Sequence, residues 1–291
     1  MPAFFALISA LSFGASDYVG GKLSRTQDAS KVTATSQILA FLVYIMLALV
    51  VPGKFMWVAL FFGFLSGISS AIGLNFFYAA LAQGVVGVVA PVTALLTASI
   101  PAVWSIFIKG EKVTPLFLAG AVLAAGAIAV LALPSRKGKT IEEEYEQIEE
   151  NIVHMTTRAW LLTLSGGIVL SFSLIGLSQT SSSSGCWPLI GVGLAAVLCS
   201  AIFAYLKTGQ IFLSQDHRSP IIFMVICMAL AYVAQLYAAR SGALAVASVI
   251  GALYPIPTII LARVFDHEKM SANQTIGAFC ALISIALIAL S

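Results

Sequence analysis

Apolar runs of about 20 residues recur along the whole chain and are separated by short polar joints. A helix of that length spans the hydrocarbon core of a bilayer, where the backbone must satisfy its own hydrogen bonds. Each run is therefore predicted to be a membrane-spanning helix. The ten runs cover residues 2–21, 31–51, 55–81, 85–108, 114–133, 159–178, 186–206, 220–239, 243–265 and 272–290.

The long polar stretch at residues 134–158 divides the chain into two sets of five runs. Thr140 and Glu143 form a capping-box pattern, and apolar residues then recur at helical spacing among glutamates. The pattern predicts a short amphipathic helix along the membrane edge. Two interpretations stay open: a solvated linker, or a regulatory or partner-binding segment. The expected domains are 1–133, the linker 134–158, and 159–291.

The stretch at residues 89–133 recurs 157 positions later, and the charged joint Glu111-Lys112 then meets Glu268-Lys269. A repeat of this kind sets the architecture. Because five crossings is an odd number, the second half must enter the membrane from the opposite face. The predicted fold is an all-α multi-pass membrane protein whose ten transmembrane helices form two inverted five-helix repeats. Such folds place a binding site near the midplane between the halves.

Composition agrees with a membrane location and excludes an ordinary soluble domain. Hydrophobic residues make up 60% of the chain, charged residues 9%, and the mean hydropathy is +1.01. The net charge of +3 does not indicate nucleic acid as a partner. Four cysteines without metal spacing are interpreted as apolar packing residues, so no metal and no cofactor is expected. The chain has neither a Walker loop nor paired intramembrane aspartates, so neither ATP nor an enzymatic reaction is expected.

Asp17 is the strongest candidate for a functional residue, because it lies within an otherwise uncharged stretch of the first run. A carboxylate in the bilayer costs several kcal/mol unless it is paired or protonated. Gly14 and Gly21 share its helix face, and small residues mark packing faces, so Asp17 is expected to point into the bundle. It is predicted to handle a proton or cation. A pair with Lys22 or a helix end, and proximity to the water interface, are the alternatives.

Further polar and aromatic residues occur on shared helix faces and suit a small amphiphilic solute. One such residue alone would more often join helices than bind a ligand. Tyrosines and tryptophan can face a cation or anchor a helix at the interface. The substrate candidates besides Asp17 are Gln37, Tyr44, Asn75, Tyr78, Trp104, Tyr232, Gln235 and Tyr254.

Prolines interrupt the fourth run and the ninth, which are equivalent under the repeat. Each proline removes a backbone hydrogen bond, so these runs are expected to line the cavity and bend during a transport cycle, or to hold a static kink. The charged joints that follow are gate candidates, or solvated turns. The gate and hinge candidates are Pro91, Pro101, Glu111, Lys112, Pro255, Pro257, Glu268 and Lys269.

Several of these features together carry a family resemblance. They are Phe13-Gly14, Tyr78-Ala79-Ala80, Tyr237-Ala238-Ala239, Val89-Ala90-Pro91, Tyr254-Pro255, Gly110-Glu111-Lys112 and Glu268-Lys269. The chain resembles drug/metabolite transporters of the EamA type along its whole length. It departs from them at Phe13, where the family often has tryptophan, and at His267, which replaces the glycine of the second joint. The resemblance implies transport of a metabolite and does not name the solute.

The leading hypothesis is a secondary transporter that works by alternating access, is coupled to protons and exports a small metabolite such as an amino acid or a related amphiphile. Uptake of a cationic or quaternary amine is the alternative, and a membrane scaffold or receptor is a distant one. The cell inner membrane, a small-molecule substrate and lipid contacts are expected, in a monomer or a dimer. Basic residues favour termini outside, whereas the resemblance implies termini inside.

Overall fold

The structure is a computed structural model that describes residues 2–109, 114–132, 155–214, 218–240, 253–267 and 272–289. Helices and short turns make up these ranges, which contain no β-strand. The helices are α1 (Pro2–Thr26), α2 (Ala29–Val50), α3 (Trp57–Gln83), α4 (Val86–Lys109), α5 (Pro115–Ala132), α6 (Thr157–Ser178), α7 (Trp187–Thr208), α8 (Arg218–Arg240), α9 (Pro255–Phe265) and α10 (Ala272–Ala289).

Every predicted run contains one of these helices, with boundaries that shift by a few residues. The first helix continues five residues beyond the predicted end, to Thr26, and thereby carries Lys22 and Arg25 on its last turns. The first part of the ninth run and the linker prediction at 134–154 lie outside the described residues. The all-helical class is therefore confirmed for the described part of the chain.

By length and composition, α2, α3, α7 and residues 157–177 of α6 could each cross a membrane. Shorter apolar stretches of 10–17 residues lie within α4, α5, α8, α9 and α10. In α1, Asp17, Lys22 and Arg25 interrupt the apolar sequence. Ten crossings and the inverted repeat stay predictions.

Helix α3 packs closely between α6 and α7, because small residues on two of its faces allow the backbones to approach. A Cβ atom added to Gly67 would lie 2.9 Å from the Cβ of Ala195 on α7. One added to Gly73 would lie 2.6 Å from the Cγ of Leu170 on α6. Larger residues at these glycines would push the helices apart.

The turns between helices meet at two opposite ends of the bundle. At one end, the backbone N–H of Lys54 donates to the carbonyl of Ser183 at 2.9 Å, and Trp187 Nε1 donates to the carbonyl of Gly53 at 3.3 Å. These bonds join the α2–α3 turn to the α6–α7 turn. We call the other end the ionic face; it is defined by the charged residues Lys22, Arg25, Asp28, Lys207 and Asp266.

Candidate functional site

Asp17 lies inside the bundle, as its position beside two glycines predicts. The residue is only 7% exposed, and within the described part of the chain no hydrogen bond or ion pair reaches its carboxyl group. One turn earlier, Thr258 Oγ1 of α9 donates to the carbonyl of Gly14 at 3.1 Å. A Cβ on Gly14 would lie 2.6 Å from the carbonyl oxygen of Tyr254. The close contact between α1 and the start of α9 therefore holds Asp17 in place.

Three tyrosines from three other parts of the chain lie close enough to the carboxyl group of Asp17 to interact with it electrostatically. Tyr78 of α3, Tyr232 of α8 and Tyr254 in the turn before α9 all lie within electrostatic range of Asp17. Tyr78 is buried, and the other two are half-buried. Phenol groups from both sequence halves thus lie in the neighbourhood of the carboxyl group.

Two further aromatic rings extend this group along the interior. The ring of Tyr232 contacts Phe13 of α1 at a centroid distance of 5.2 Å and Tyr44 of α2 at 5.5 Å, both edge to face. Edge-to-face pairs of this kind are a favourable arrangement for aromatic rings. We call Phe13, Asp17, Tyr44, Tyr78, Tyr232 and Tyr254 the interior site.

Several buried polar atoms beside the interior site have no hydrogen-bond partner among the described residues. They are Ser16 Oγ, Asn75 Nδ2 and Thr93 Oγ1. The hydroxyl of Ser16 lies near that of Tyr78, and Asn75 is on the same face of α3 as Tyr78. Thr93 shares a face of α4 with Thr97, whose hydroxyl interacts with that of Tyr254. A buried polar atom without a partner costs about 1–3 kcal/mol, so these atoms favour a polar occupant.

The end of α1 is bound to the end of α9 by a cluster of charges on the ionic face. Lys22 Nζ lies 2.6 Å from Asp266 Oδ1, and Arg25 Nη1 lies 3.3 Å from Asp266 Oδ2. The hydroxyl of Tyr18 also donates to Asp266 Oδ1 at 3.0 Å. We call Tyr18, Lys22, Arg25 and Asp266 the α1–α9 ion cluster.

A cleft between α1 and α9 connects the cluster to the interior site. Its lining includes Asp17, Gly21 and Thr258 together with Lys22, Arg25 and Asp266. Asp17 precedes Lys22 by five residues, which places it about 8 Å deeper along the helix axis at a rise of 1.5 Å per residue. The α1–α9 ion cluster therefore lies directly outside the carboxyl group of Asp17.

The predicted alternative of an Asp17–Lys22 pair does not occur in this structure. Lys22 Nζ pairs with Asp266 instead, and it is 3.0 Å from the hydroxyl of Tyr18. Five residues turn a helix by about 140° beyond a full turn, so Asp17 and Lys22 point in different directions from α1.

A second ion pair on the ionic face joins α2 to α7. Lys207 Nζ lies 2.9 Å from Asp28 Oδ2, and Asp28 is the N-cap of α2, where its carboxylate accepts from the backbone N–H of Ser30 at 2.9 Å. Burial alone would raise the pKa of Asp28, but hydrogen bonds from Ser30 and Lys207 outweigh it and hold the pKa below its ordinary value. This carboxylate is fully engaged within the protein.

The other predicted substrate candidates are placed less uniformly. Gln37 is buried on α2, whereas Trp104 is 38% exposed on α4 and does not join the interior site. Gln235 lies in α8 with its side chain outside the described part of the structure. The interior site therefore contains Asp17 and four of the predicted tyrosines, with Asn75 beside it.

The prolines occupy two different helix positions. Pro91 and Pro101 lie inside α4, which continues through both of them. Pro91 has no N–H to donate to the carbonyl of Gly87. Pro255 and Pro257 lie in the first turn of α9, which begins at Pro255 after a turn at Tyr254. A proline in the first turn of a helix removes no helical hydrogen bond. Within the described residues, the prolines of the ninth run therefore mark the start of a helix and do not interrupt one.

The charged joints Glu111-Lys112 and Glu268-Lys269, which were predicted as gate candidates, lie outside the described residues.

Asp266 and Tyr18 were not among the sequence candidates, and His267 was noted only as a departure from the family pattern. The basic pair Lys22 and Arg25 at the end of α1 was an available indication that an acidic partner exists. His267 follows α9 with φ 52°, in the left-handed region that glycine adopts readily. His267 therefore adopts a backbone conformation that suits the glycine expected there from the resemblance. Within the described ranges, no group of three His, Cys, Asp or Glu residues could hold a metal ion.

The apolar helices indicate an integral multi-pass membrane protein. The family model described as the EamA-like transporter family, which lies within the drug/metabolite transporter superfamily, matches residues 159–290 of the chain. The match confirms the expected resemblance for residues 159–290 and points to a transporter rather than an enzyme.

A solved structure described only as "Crystal structure of protein" is similar at a TM-score of 0.59 and 15% sequence identity. The likeness covers 96% of this chain and 95% of that chain, and at this identity it concerns the fold alone. No curated protein sequence matches the chain with significance.

Proposed function

We propose that the chain is a secondary transporter of the drug/metabolite transporter type, in which Asp17 takes up and releases a cation, normally a proton, in each cycle. The observation that carries this proposal is a buried carboxyl group that has no basic side chain beside it among the described residues. Such a group is stable in a low-dielectric interior only when a proton or another cation neutralises it. The solute is a small metabolite, such as an amino acid or a related amphiphile, and it moves outward in exchange for the proton.

Reciprocal helix contacts support two inverted five-helix repeats. Helix α3 packs against α6 and α7, and its counterpart α8 packs against α1 and α2. Helix α4 packs against α6, and its counterpart α9 packs against α1. Exchanging the halves thus exchanges the contact pairs, as a two-fold axis between them requires. The interior site then lies where the halves meet, which suits alternating access.

The α1–α9 ion cluster is the closing element that this mechanism needs at the ionic face. It lies outside Asp17 in the same cleft, so separating α1 from α9 there would give water and solute a path to the carboxyl group. Among the described residues, the three tyrosines lie within electrostatic range of Asp17, and the other charged groups of the cleft are Lys22, Arg25 and Asp266. Because both basic residues bind Asp266, neither neutralises Asp17 in this closed state.

The test uses the full chain in proteoliposomes with a pH gradient and a panel of amino acids, amines and sugars. The expected result is gradient-driven flux of at least one solute, lost in Asp17→Asn and retained in part by Asp17→Glu. Asp28→Asn is the matched control, because it makes the same chemical change at the ionic face and asparagine still caps a helix. Normal driven flux in Asp17→Asn would remove the coupling role, and no flux of any solute would favour the scaffold alternative.

A further inference from the structure

Among the described residues, the interior site contains an acidic group and no basic group. It contains one carboxyl group, and among the residues whose side chains are described no lysine, arginine or histidine contacts it. The nearest basic groups along α1, Lys22 and Arg25, both pair with Asp266. A solute carboxylate placed here would meet a like charge without a basic partner, which costs several kcal/mol. A solute ammonium group would meet the opposite charge.

The aromatic surroundings favour the same charge. Tyr78, Tyr232 and Tyr254 lie within electrostatic range of Asp17, and Phe13 and Tyr44 contact Tyr232. The face of an aromatic ring attracts a cation, most strongly where water is excluded. Aromatic groups beside an acid are the combination that recognises substituted ammonium ions.

Unpartnered polar atoms add a requirement for hydrogen bonding. Asn75 Nδ2 can donate, and the hydroxyls of Ser16 and Thr93 can donate or accept. All three residues are more than nine-tenths buried, at 6%, 1% and 0% exposed. A solute that carries a hydroxyl or ether group near its ammonium would satisfy them.

From these observations we infer that the interior site binds a monovalent organic cation, an amine or quaternary ammonium ion, in exchange for the proton on Asp17. This inference rests on the proposed transport function and narrows its solute class from amphiphiles in general to cations without a carboxylate. A single carboxyl group can hold either one proton or one monovalent cation. The exchange therefore moves one charge in each direction, so it is driven by the pH gradient and is insensitive to membrane potential.

The decisive comparison is phenethylamine against phenylalanine, which differ only by a carboxylate. Purified protein in weakly buffered detergent solution is titrated with each compound, and with tetraethylammonium and choline, while a dye reports released protons. Phenethylamine and at least one quaternary ion should bind and release up to one proton per chain from the protonated site. Phenylalanine should bind weaker by a factor on the order of a hundred.

Variants connect the binding to the named residues. Asp17→Asn should bind the amines weakly and release no proton, whereas Asp28→Asn should behave as the parent protein. Tyr232→Leu should weaken amine binding by roughly two- to thirty-fold, and Tyr232→Phe, which keeps the ring, should restore most of it. Size-exclusion profiles of each variant separate these effects from misfolding.

Three outcomes would overturn the inference. They are equal or tighter binding of phenylalanine, amine binding that is unchanged in Asp17→Asn, and no binding of any of the four probes. Proton-coupled flux of phenylalanine that depends on Asp17 would overturn the solute class while leaving the proposed transport function intact. Amine flux that is driven by the pH gradient and unaffected by membrane potential would support both.

Discussion

Carboxylates in two regions of this protein are held in opposite ways. On the ionic face, Asp266 binds Lys22, Arg25 and Tyr18, and Asp28 binds Lys207 and caps α2. In the interior, Asp17 has neither a cation nor a hydrogen-bond donor within the described part of the chain, although it is the most buried of the three. The two carboxylates nearer to water have protein partners, whereas the described residues provide none for the buried carboxyl group of Asp17. Under the proposed function, this interior carboxyl group is the place where a mobile cation binds.

The largest expected effect is at this interior carboxylate. Asp17→Asn should reduce gradient-driven flux by at least about a hundred-fold, because removing the essential proton-carrying group costs about that factor or more. Flux in proteoliposomes with and without a pH gradient measures the change. Amount and monodispersity of the purified protein should equal those of the parent, and a variant with unchanged gradient-driven flux would contradict the proposed role.

The second largest effect on flux is expected from cross-linking the ionic face, which tests whether the Lys22–Asp266 and Asp28–Lys207 ion pairs differ in function. With Cys186, Cys199, Cys227 and Cys280 replaced by alanine, cysteines are introduced in place of Lys22 and Asp266. A short bifunctional thiol reagent should join α1 to α9 and stop transport, because the cleft to Asp17 can no longer open.

The matched control places the two cysteines at Asp28 and Lys207, which join α2 to α7 on the same face. Helices α2 and α7 pack along their lengths, with Gly193 of α7 against Phe41 and Tyr44 of α2, so this link should leave most of the transport activity. Equal inhibition by both links would contradict a specific role of the α1–α9 ion cluster as a gate.

The contact that positions Asp17 should also be sensitive to size. In Gly14→Ala the new methyl group would meet the carbonyl of Tyr254 and the ring of Pro257, which are parts of the backbone turn and cannot rotate away. Overpacking of this kind costs about 1–3 kcal/mol, so thermal stability and flux should both fall. Gly126→Ala on α5 is the control, because its new methyl group meets nothing within 4 Å. Loss of stability in both variants alike would show that the α1–α9 contact is not special.

The smallest effect is expected at the cap of α2. Asp28→Ala should destabilise the protein by about 1 kcal/mol through the lost N-cap, and Asp28→Asn by less. Because the pKa of Asp28 is lowered in the folded protein, its contribution is present above the ordinary pKa of about 4 and is lost as the pH falls through the lower folded value. Thermal unfolding between about pH 3 and 6 measures this, and transport at neutral pH should be unchanged.

The sequence was most informative where a single physical rule decided the outcome. Apolar runs long enough for a bilayer must be helical, and each predicted run contains a helix. Small residues beside Asp17 predicted an inward direction, and the residue is buried. The tyrosines at positions 44, 78, 232 and 254 were selected for their helix faces. In the structure, Tyr78, Tyr232 and Tyr254 lie within electrostatic range of Asp17, and Tyr44 contacts Tyr232.

The sequence was less informative about contacts between segments that are far apart in the chain. Asp266 lies 244 residues from Lys22, and the sequence drew attention to Glu268 in the same joint instead. Trp104 shares a helix with Thr93, yet it is 38% exposed while Thr93 is buried. Helices α6, α9 and α10 pack against α4 and decide which of its faces is buried. The sequence of α4 alone does not predict that arrangement.

The amino-acid sequence by itself determined the all-helical class, the chain positions of the helices and the candidacy of Asp17, because each follows from local hydropathy and from the cost of burying a charge. Only the tertiary structure decided which groups lie within electrostatic range of that carboxyl group and which charged residues line the cleft beside it. Those outcomes depend on contacts among α1, α3, α8 and α9, which are far apart in the chain. A charge inside a membrane protein can be found by reading the chain, but its partners are chosen by packing.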